Sequence, residues 1–128
     1  MGQGHAEIKI DKPADAVWAV AGDFGGIGGW MPGIESCVVD GDDRILKMMG
    51  MEITERLERR DDAARELVYG IAGGVPGVGH HKATITVVPE GDDSLVTWDV
   101  EVEPDAMTDM MRDIYQQSLQ ALKDHLGG

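Results

Sequence analysis

The chain has 128 residues, 42% of them hydrophobic and 27% charged, with a formal net charge of −13. That length suffices for one domain with a sizeable core, and the composition is too apolar for disorder. So large an excess of acid leaves no basic patch for nucleic acid or an anionic membrane surface, and no apolar run reaches the ~18–20 residues of a membrane span.

In chain order, residues 5–11 alternate, with Ala6, Ile8 and Ile10 on one side and His5, Glu7 and Lys9 on the other, which predicts a half-buried strand. Pro13 suits the first turn of a helix whose apolar side is Ala16, Val17, Ala19 and Val20. Residues 23–33, glycine-rich around Phe24, Ile27, Trp30 and Met31, predict a second short helix and a turn at Pro32-Gly33. From Ile34 the period becomes two, and strands are predicted over residues 34–40, 44–48, 51–60, 65–72, 79–89 and 95–103. Between them stand short turn signals such as Gly41-Asp42-Asp43, Met49-Gly50 and Gly91-Asp92-Asp93. Spacers this short favour an antiparallel meander. Pro104 ends the last strand, Asp105 is a candidate N-cap, and residues 106–126 carry Met107, Met110, Met111, Ile114, Leu119, Leu122 and Leu126 at helical spacing. The expectation is a single α+β domain over residues 1–128, its curved sheet of seven antiparallel strands wrapped around a helix about 30 Å long.

The hairpin at residues 44–58 carries the most chemical information. With Met49-Gly50 as a two-residue turn, Met48 faces Met51, Leu46 faces Ile53 and Arg44 faces Glu55. One side of the hairpin then reads Arg44, Leu46, Met48, Met51, Ile53, Glu55, Leu57. It is apolar apart from one arginine and one carboxylate placed across from each other, so it is expected to face inward. A buried carboxylate needs a partner or a raised pKa, and Arg44 can supply the partner. In a pocket such a pair can move a proton while the guanidinium holds a developing anion; a purely structural ion pair is the alternative.

Tyr69, His81 and Trp98 each put a polar group on an otherwise apolar strand face, as small-molecule sites do. Together with Trp30, Met48, Ile53, Met110, Met111 and Ile114 they form the expected lining of a pocket for an apolar molecule, methionine giving it adaptable walls. His80-His81 cannot both ligate one metal from a strand, because neighbours point to opposite faces. With no HExxH or CxxC motif, no metal is assigned, and no cofactor is expected, since the glycine stretches lack GxGxxG and the P-loop lysine. The lone Cys37 allows no internal disulfide and fits a reducing cytoplasm, and no basic-then-apolar leader follows Met1. A cytoplasmic monomer or homodimer is expected.

The run Val17-Trp18, Asp23-Phe24, Gly29-Trp30-Met31-Pro32, Ser36-Cys37, Gly41, Arg44, Glu55-Arg56-Leu57, Asp61, Leu67-Val68-Tyr69, Ala83-Thr84-Ile85 and Thr97-Trp98 covers nearly the entire chain. It resembles the polyketide cyclase/dehydrase branch of the START-type helix-grip (SRPBCC) superfamily and, within it, the lachrymatory factor synthases. The resemblance implies a helix-grip fold with a cavity between sheet and helix. In the synthases an arginine and a glutamate perform a proton-transfer rearrangement; Arg44 and Glu55, the latter opening Glu55-Arg56-Leu57, hold the matching places. The segment from Gly41 to Glu55 is shorter here, and an aromatic residue expected near His81 is replaced. Three functions follow as expectations: a cofactor-independent cyclase, dehydratase or isomerase using Arg44 and Glu55; a carrier of a hydrophobic metabolite; and a partner-binding protein using exposed Trp30 and Met31.

Overall fold

The structure, a computed structural model, describes residues 2–128, so Met1 lies outside the described residues. Strand β1 (Gly2–Ile10) leads to helix α1 (Ala14–Ala21) and a 3-10 turn (Phe24–Gly29). Six strands follow: β2 (Ile34–Asp40), β3 (Asp43–Met48), β4 (Met51–Asp61), β5 (Glu66–Gly73), β6 (His80–Glu90) and β7 (Asp93–Glu103). A 3-10 turn at Asp105–Met107 then precedes helix α2 (Thr108–Leu126). The seven strands form one antiparallel sheet in the order β1-β7-β6-β5-β4-β3-β2. This is the α+β architecture that the patterning predicts, and the helix-grip fold that the resemblance implies.

Alternation decides which face of the sheet is inner. On β6 the buried residues are His81, Ala83, Ile85 and Val87; on β7 they are Ser94, Val96, Trp98, Val100 and Val102. Helix α2 lies across β1 and β7 and buries Met111, Tyr115, Ser118, Leu119 and Leu122, whose spacing of four, three, one and three residues traces one stripe. Leu119 and Leu122 are fully buried, and each contributes about 1.5–3 kcal/mol relative to exposure. Gly127 ends the helix in a left-handed conformation (φ 78°), returning its N–H to Asp124 O.

Three boundaries differ from expectation for reasons outside the local pattern. Strand β1 starts at Gly2, not residue 5, because pairing with β7 runs from Gly2↔Val102. Glycine is needed there: a Cβ on Gly2 would fall inside contact distance of Thr108 Oγ1 at the start of α2. Helix α2 starts at Thr108, not residue 106, because residues 105–107 form the tighter 3-10 turn; Asp105 therefore does not cap it, and the N-cap position falls on Met107. Pro13 stands at the N-cap of α1, with extended ψ 150°, rather than inside its first turn.

Candidate functional site

The β3–β4 hairpin closes as the turn chemistry requires. Met49 (φ 50°) and Gly50 (φ 72°) both take the left-handed conformation, the signature of a turn matched to strand twist. That turn sets the register Met48↔Met51, Leu46↔Ile53 and Arg44↔Glu55, as predicted. A slip of one residue would have sent the whole set outward. Arg44 is 1% exposed and Glu55 8%.

The guanidinium of Arg44 is held on several sides. Its Nε donates to Glu55 Oε1 at 2.8 Å, and its Nη1 donates to the carbonyl oxygen of Phe24 at 2.8 Å. Nη2 lies 2.7 Å from Glu55 Oε1 but off the line of its N–H bonds, so it makes an ionic contact and no aligned hydrogen bond. The Phe24 ring lies over the guanidinium carbon at 4.0 Å from the ring centre, and the Tyr69 ring at 4.8 Å. Burial raises the Glu55 pKa, with the charge and hydrogen bond of Arg44 opposing that rise. The outcome is a carboxylate that accepts a proton more readily than an exposed glutamate.

Beyond Tyr69 the inner face continues as a polar cluster in an aromatic wall. The Tyr69 ring lies 6.0 Å from that of His81. His81 Nδ1 accepts from the backbone N–H of Ile71 at 3.2 Å, and His81 Nε2 bonds Tyr115 Oη at 2.7 Å. Burial, with smaller help from His80, lowers the His81 pKa from 6.5 to about 4, so the ring is neutral at pH 7. Burial likewise raises the Tyr69 and Tyr115 hydroxyls above the ordinary tyrosine value, so both remain protonated. Tyr115 stacks on Trp98 with ring centres 4.2 Å apart and planes 5° from parallel, and Trp30 lies 6.1 Å from Trp98. Neither the Trp30 nor the Trp98 indole N–H has an acceptor among the described residues.

Of the residues singled out in the sequence, Arg44, Glu55, Tyr69, His81, Trp98, Trp30, Ile53 and Met111 are buried in the interior. Met48 and Ile114 are partly buried at its margin. Met110 is not part of it. It is 51% exposed, because one residue along a helix turns the side chain by about 100° and Met111 takes the inward position. Trp30, expected on an exposed partner-binding loop, is 8% exposed and packs against Trp98 instead. Two participants went unpredicted. Tyr115 follows Met111 by four residues, a spacing the sequence displays; the Phe24 carbonyl is a backbone contact that no pattern reveals.

Surface clefts lie away from this cluster. One of about 330 Å³ lies where Gln3, Lys82, Thr84, Asp99 and Glu101 line the outer face of β1, β7 and β6. Another of about 310 Å³ runs between the glycine-rich 3-10 turn and residues 34–37, and one of about 260 Å³ lies outside β2–β4. The expected pocket under α2 is not among these clefts: the space between helix and sheet holds the side chains of Arg44, Tyr69, Trp98 and Tyr115 in mutual contact. No helix among the described residues is long and apolar enough to cross a membrane.

Solved structures share this architecture over nearly its whole length. The protein XoxI from Bacillus cereus superposes with a TM-score of 0.92 at 28% identity, over 98% of this chain and 96% of that one. An uncharacterised protein from Bacillus thuringiensis gives 0.90 at 27% identity, over 99% of this chain and 100% of that one. The di-domain aromatase/cyclase BexL gives 0.82 at 22% identity, over 99% of this chain and 47% of the other, a likeness of fold. A search of curated proteins found no match. Residues 1–127 match the family described as polyketide cyclase / dehydrase and lipid transport, and the chain belongs to that family.

Proposed function

We propose that the interior cluster is a site for a small hydrophobic molecule and that Arg44 and Glu55 carry out a cofactor-independent proton transfer on it, of the cyclase, dehydratase or isomerase kind. The observation that carries this reading is the pair itself, a carboxylate of raised pKa 2.8 Å from a guanidinium on the otherwise apolar inner side of the β3–β4 hairpin. Removing two charges from water is costly, and apolar residues of similar volume would stabilise the fold at least as well. Glu55 is suited to take a proton from a carbon acid and to return it elsewhere on the molecule. Arg44, held by Phe24 and Glu55, is suited to hold the negative charge that develops meanwhile. Reaction inside a dry aromatic wall strengthens both effects. Family membership supports a hydrophobic ligand and this class of chemistry. A cytoplasmic location belongs to the same reading, in keeping with the free thiol of Cys37.

A carrier function is the second reading. It is favoured by the Phe24 carbonyl, which already occupies Arg44 Nη1 and makes the arginine part of the wall. Exchange of the methyl hydrogens of 2-acetylnaphthalene in D₂O, followed by NMR, separates the two. The enzyme reading expects exchange above the buffer rate with wild type and only the buffer rate with Glu55→Gln, at retained fold and affinity. Binding without exchange in either protein supports the carrier.

A further inference from the structure

The outermost strands of an open sheet each leave a row of backbone N–H and C=O groups without a strand partner. The two edges of this sheet differ in how that row is met. On β1, Gln116 of α2 covers it: its side-chain oxygen accepts from the Glu7 N–H at 3.3 Å, and its nitrogen donates to the Glu7 carbonyl at 2.9 Å. Just past the strand, the Asp11 N–H donates to the carbonyl oxygen of Gly128 at 3.2 Å. On β2, no backbone hydrogen bond from a turn, loop or helix reaches residues 34–40 among the described residues. The β2 edge is also apolar where edges are commonly guarded by charge or proline. Val38 and Val39 are 58% and 54% exposed, and residues 36–40 include no lysine, arginine or proline. A bulge at Glu35, where the register steps from Ile34↔Met48 to Ser36↔Lys47, confines the regular edge to residues 36–40. Val38 is its midpoint.

Charges beside that edge are left over in complementary places. Asp43 is taken by Arg56 at 2.8 Å, so Asp40, opposite Asp43, has an acid for a neighbour and no cation. Lys47 stands between Ser36 on β2 and Glu52 on β4. Neither Asp40 nor Lys47 forms an ion pair among the described residues. On the same outer side Val38 borders Ile45, in a cleft of about 260 Å³ that Ser36, Lys47 and Glu52 complete. A second β2 laid antiparallel about Val38 pairs Ser36 with Asp40, Cys37 with Val39, and Val38 with itself. Any other centre leaves part of the regular edge unpaired. With this one, each Asp40 comes to lie two strand spacings, about 10 Å, from the partner's Lys47. The two side chains together span that gap over the small serine between them, so the free cation of each copy meets the free acid of the other.

We propose that β2 is an interface for a second copy of this chain, the two joining edge to edge into one antiparallel sheet with seven strands from each. Val38 lies on the two-fold axis, and a Lys47–Asp40 ion pair flanks it on either side. The backbone groups of residues 36–40 supply the hydrogen bonds, the valines the apolar contact, and the ion pairs the register. The proposal is independent of what the interior binds.

Sedimentation velocity across a concentration series is expected to show wild type passing from monomer to dimer, and Val38→Lys staying monomeric with unchanged circular dichroism. A wild type still monomeric at about 1 mM overturns the dimer, and a Val38→Lys protein that associates as well as wild type overturns this interface. Disulfide trapping then reads the register. In a Cys37→Ser background, Val38→Cys is expected to form an interchain disulfide on mild oxidation, because directly opposed residues of paired strands lie within disulfide range. Ser36→Cys in that background, opposed to Asp40, should form far less. The reverse ranking overturns the axis at Val38. Lys47→Glu is expected to weaken dimerisation about 10-fold through its two ion pairs, and adding Asp40→Lys should restore it. No loss with the first change, or no recovery with the second, overturns the Lys47–Asp40 pairing.

Discussion

Asp43 and Arg44 are neighbours on β3, and their cross-strand partners Arg56 and Glu55 are neighbours on β4. Both pairs join a guanidinium Nε to a carboxylate oxygen at 2.8 Å. One points out: the side chains of Arg56 and Asp43 are 61% and 26% exposed. The other points in, at 1% and 11%. Outside, Arg56 lowers the Asp43 pKa; inside, burial outweighs Arg44 and raises that of Glu55. Histidines divide the same way. Outward His5 is raised by its bonds to Asp99 and Glu7, whereas inward His81 is lowered to about 4. Identical chemistry at nearly identical geometry is thus turned to opposite use by the face on which the pleat places it.

Several substitutions would break or sharpen that contrast. Arg44→Met strands the Glu55 carboxylate in the interior and should cost about 3–5 kcal/mol in urea unfolding at pH 7; a loss below ~1 kcal/mol would show that the inner pair behaves like a surface pair. The double variant Arg44→Met/Glu55→Leu should recover most of that loss while abolishing α-hydrogen exchange, which would separate the pair's functional value from its structural one.

Acidification comes next. His81 in the unfolded chain protonates near 6.5 and in the folded protein only near 4. Its contribution is therefore complete above pH 6.5 and is lost as pH falls toward 4. That loss amounts to about 3 kcal/mol, at ~1.4 kcal/mol per pH unit. Glu55 works in the opposite sense, since its raised pKa lets the folded protein keep a proton the unfolded chain has released. Comparing denaturation midpoints at pH 7 and 5 for wild type and His81→Leu isolates the histidine; equal slopes would refute its assignment.

Smaller effects should follow the same division. Met111→Ala should cost about 2 kcal/mol or more, against less than ~0.5 kcal/mol for exposed Met110→Ala. Arg56→Ala should leave the urea midpoint within experimental error, the difference vanishing in high salt.

The hairpin was legible because its information is local. Two adjacent residues, Met49 and Gly50, specify a turn, the turn specifies the register, and the register with period two specifies that Arg44 meets Glu55 indoors. The helix was legible in outline only. A row of methionines and leucines marks an apolar side, but phase accumulates at about 100° per residue. Choosing Met110 beside Met111 and passing over Tyr115 shifted the apparent lining by one position. The starts of β1 and α2 were misplaced because the first is set by pairing with distant β7 and the second by a 3-10 turn at residues 105–107, neither of which periodicity records.

By itself, the sequence determined the order of the elements, the antiparallel sheet, the inward pairing of Arg44 with Glu55 and the burial of Tyr69, His81 and Trp98 on strand faces. All of these follow from short-range periodicity and turn chemistry, which a linear text records in full. Tertiary structure alone decided that Phe24 closes over the guanidinium and that Tyr115 completes the contact with His81. Those contacts join residues 20 and 34 positions apart in the chain. They depend on how far the helix lies from the sheet and how each is rotated, distances that side-chain packing sets and no residue spacing encodes.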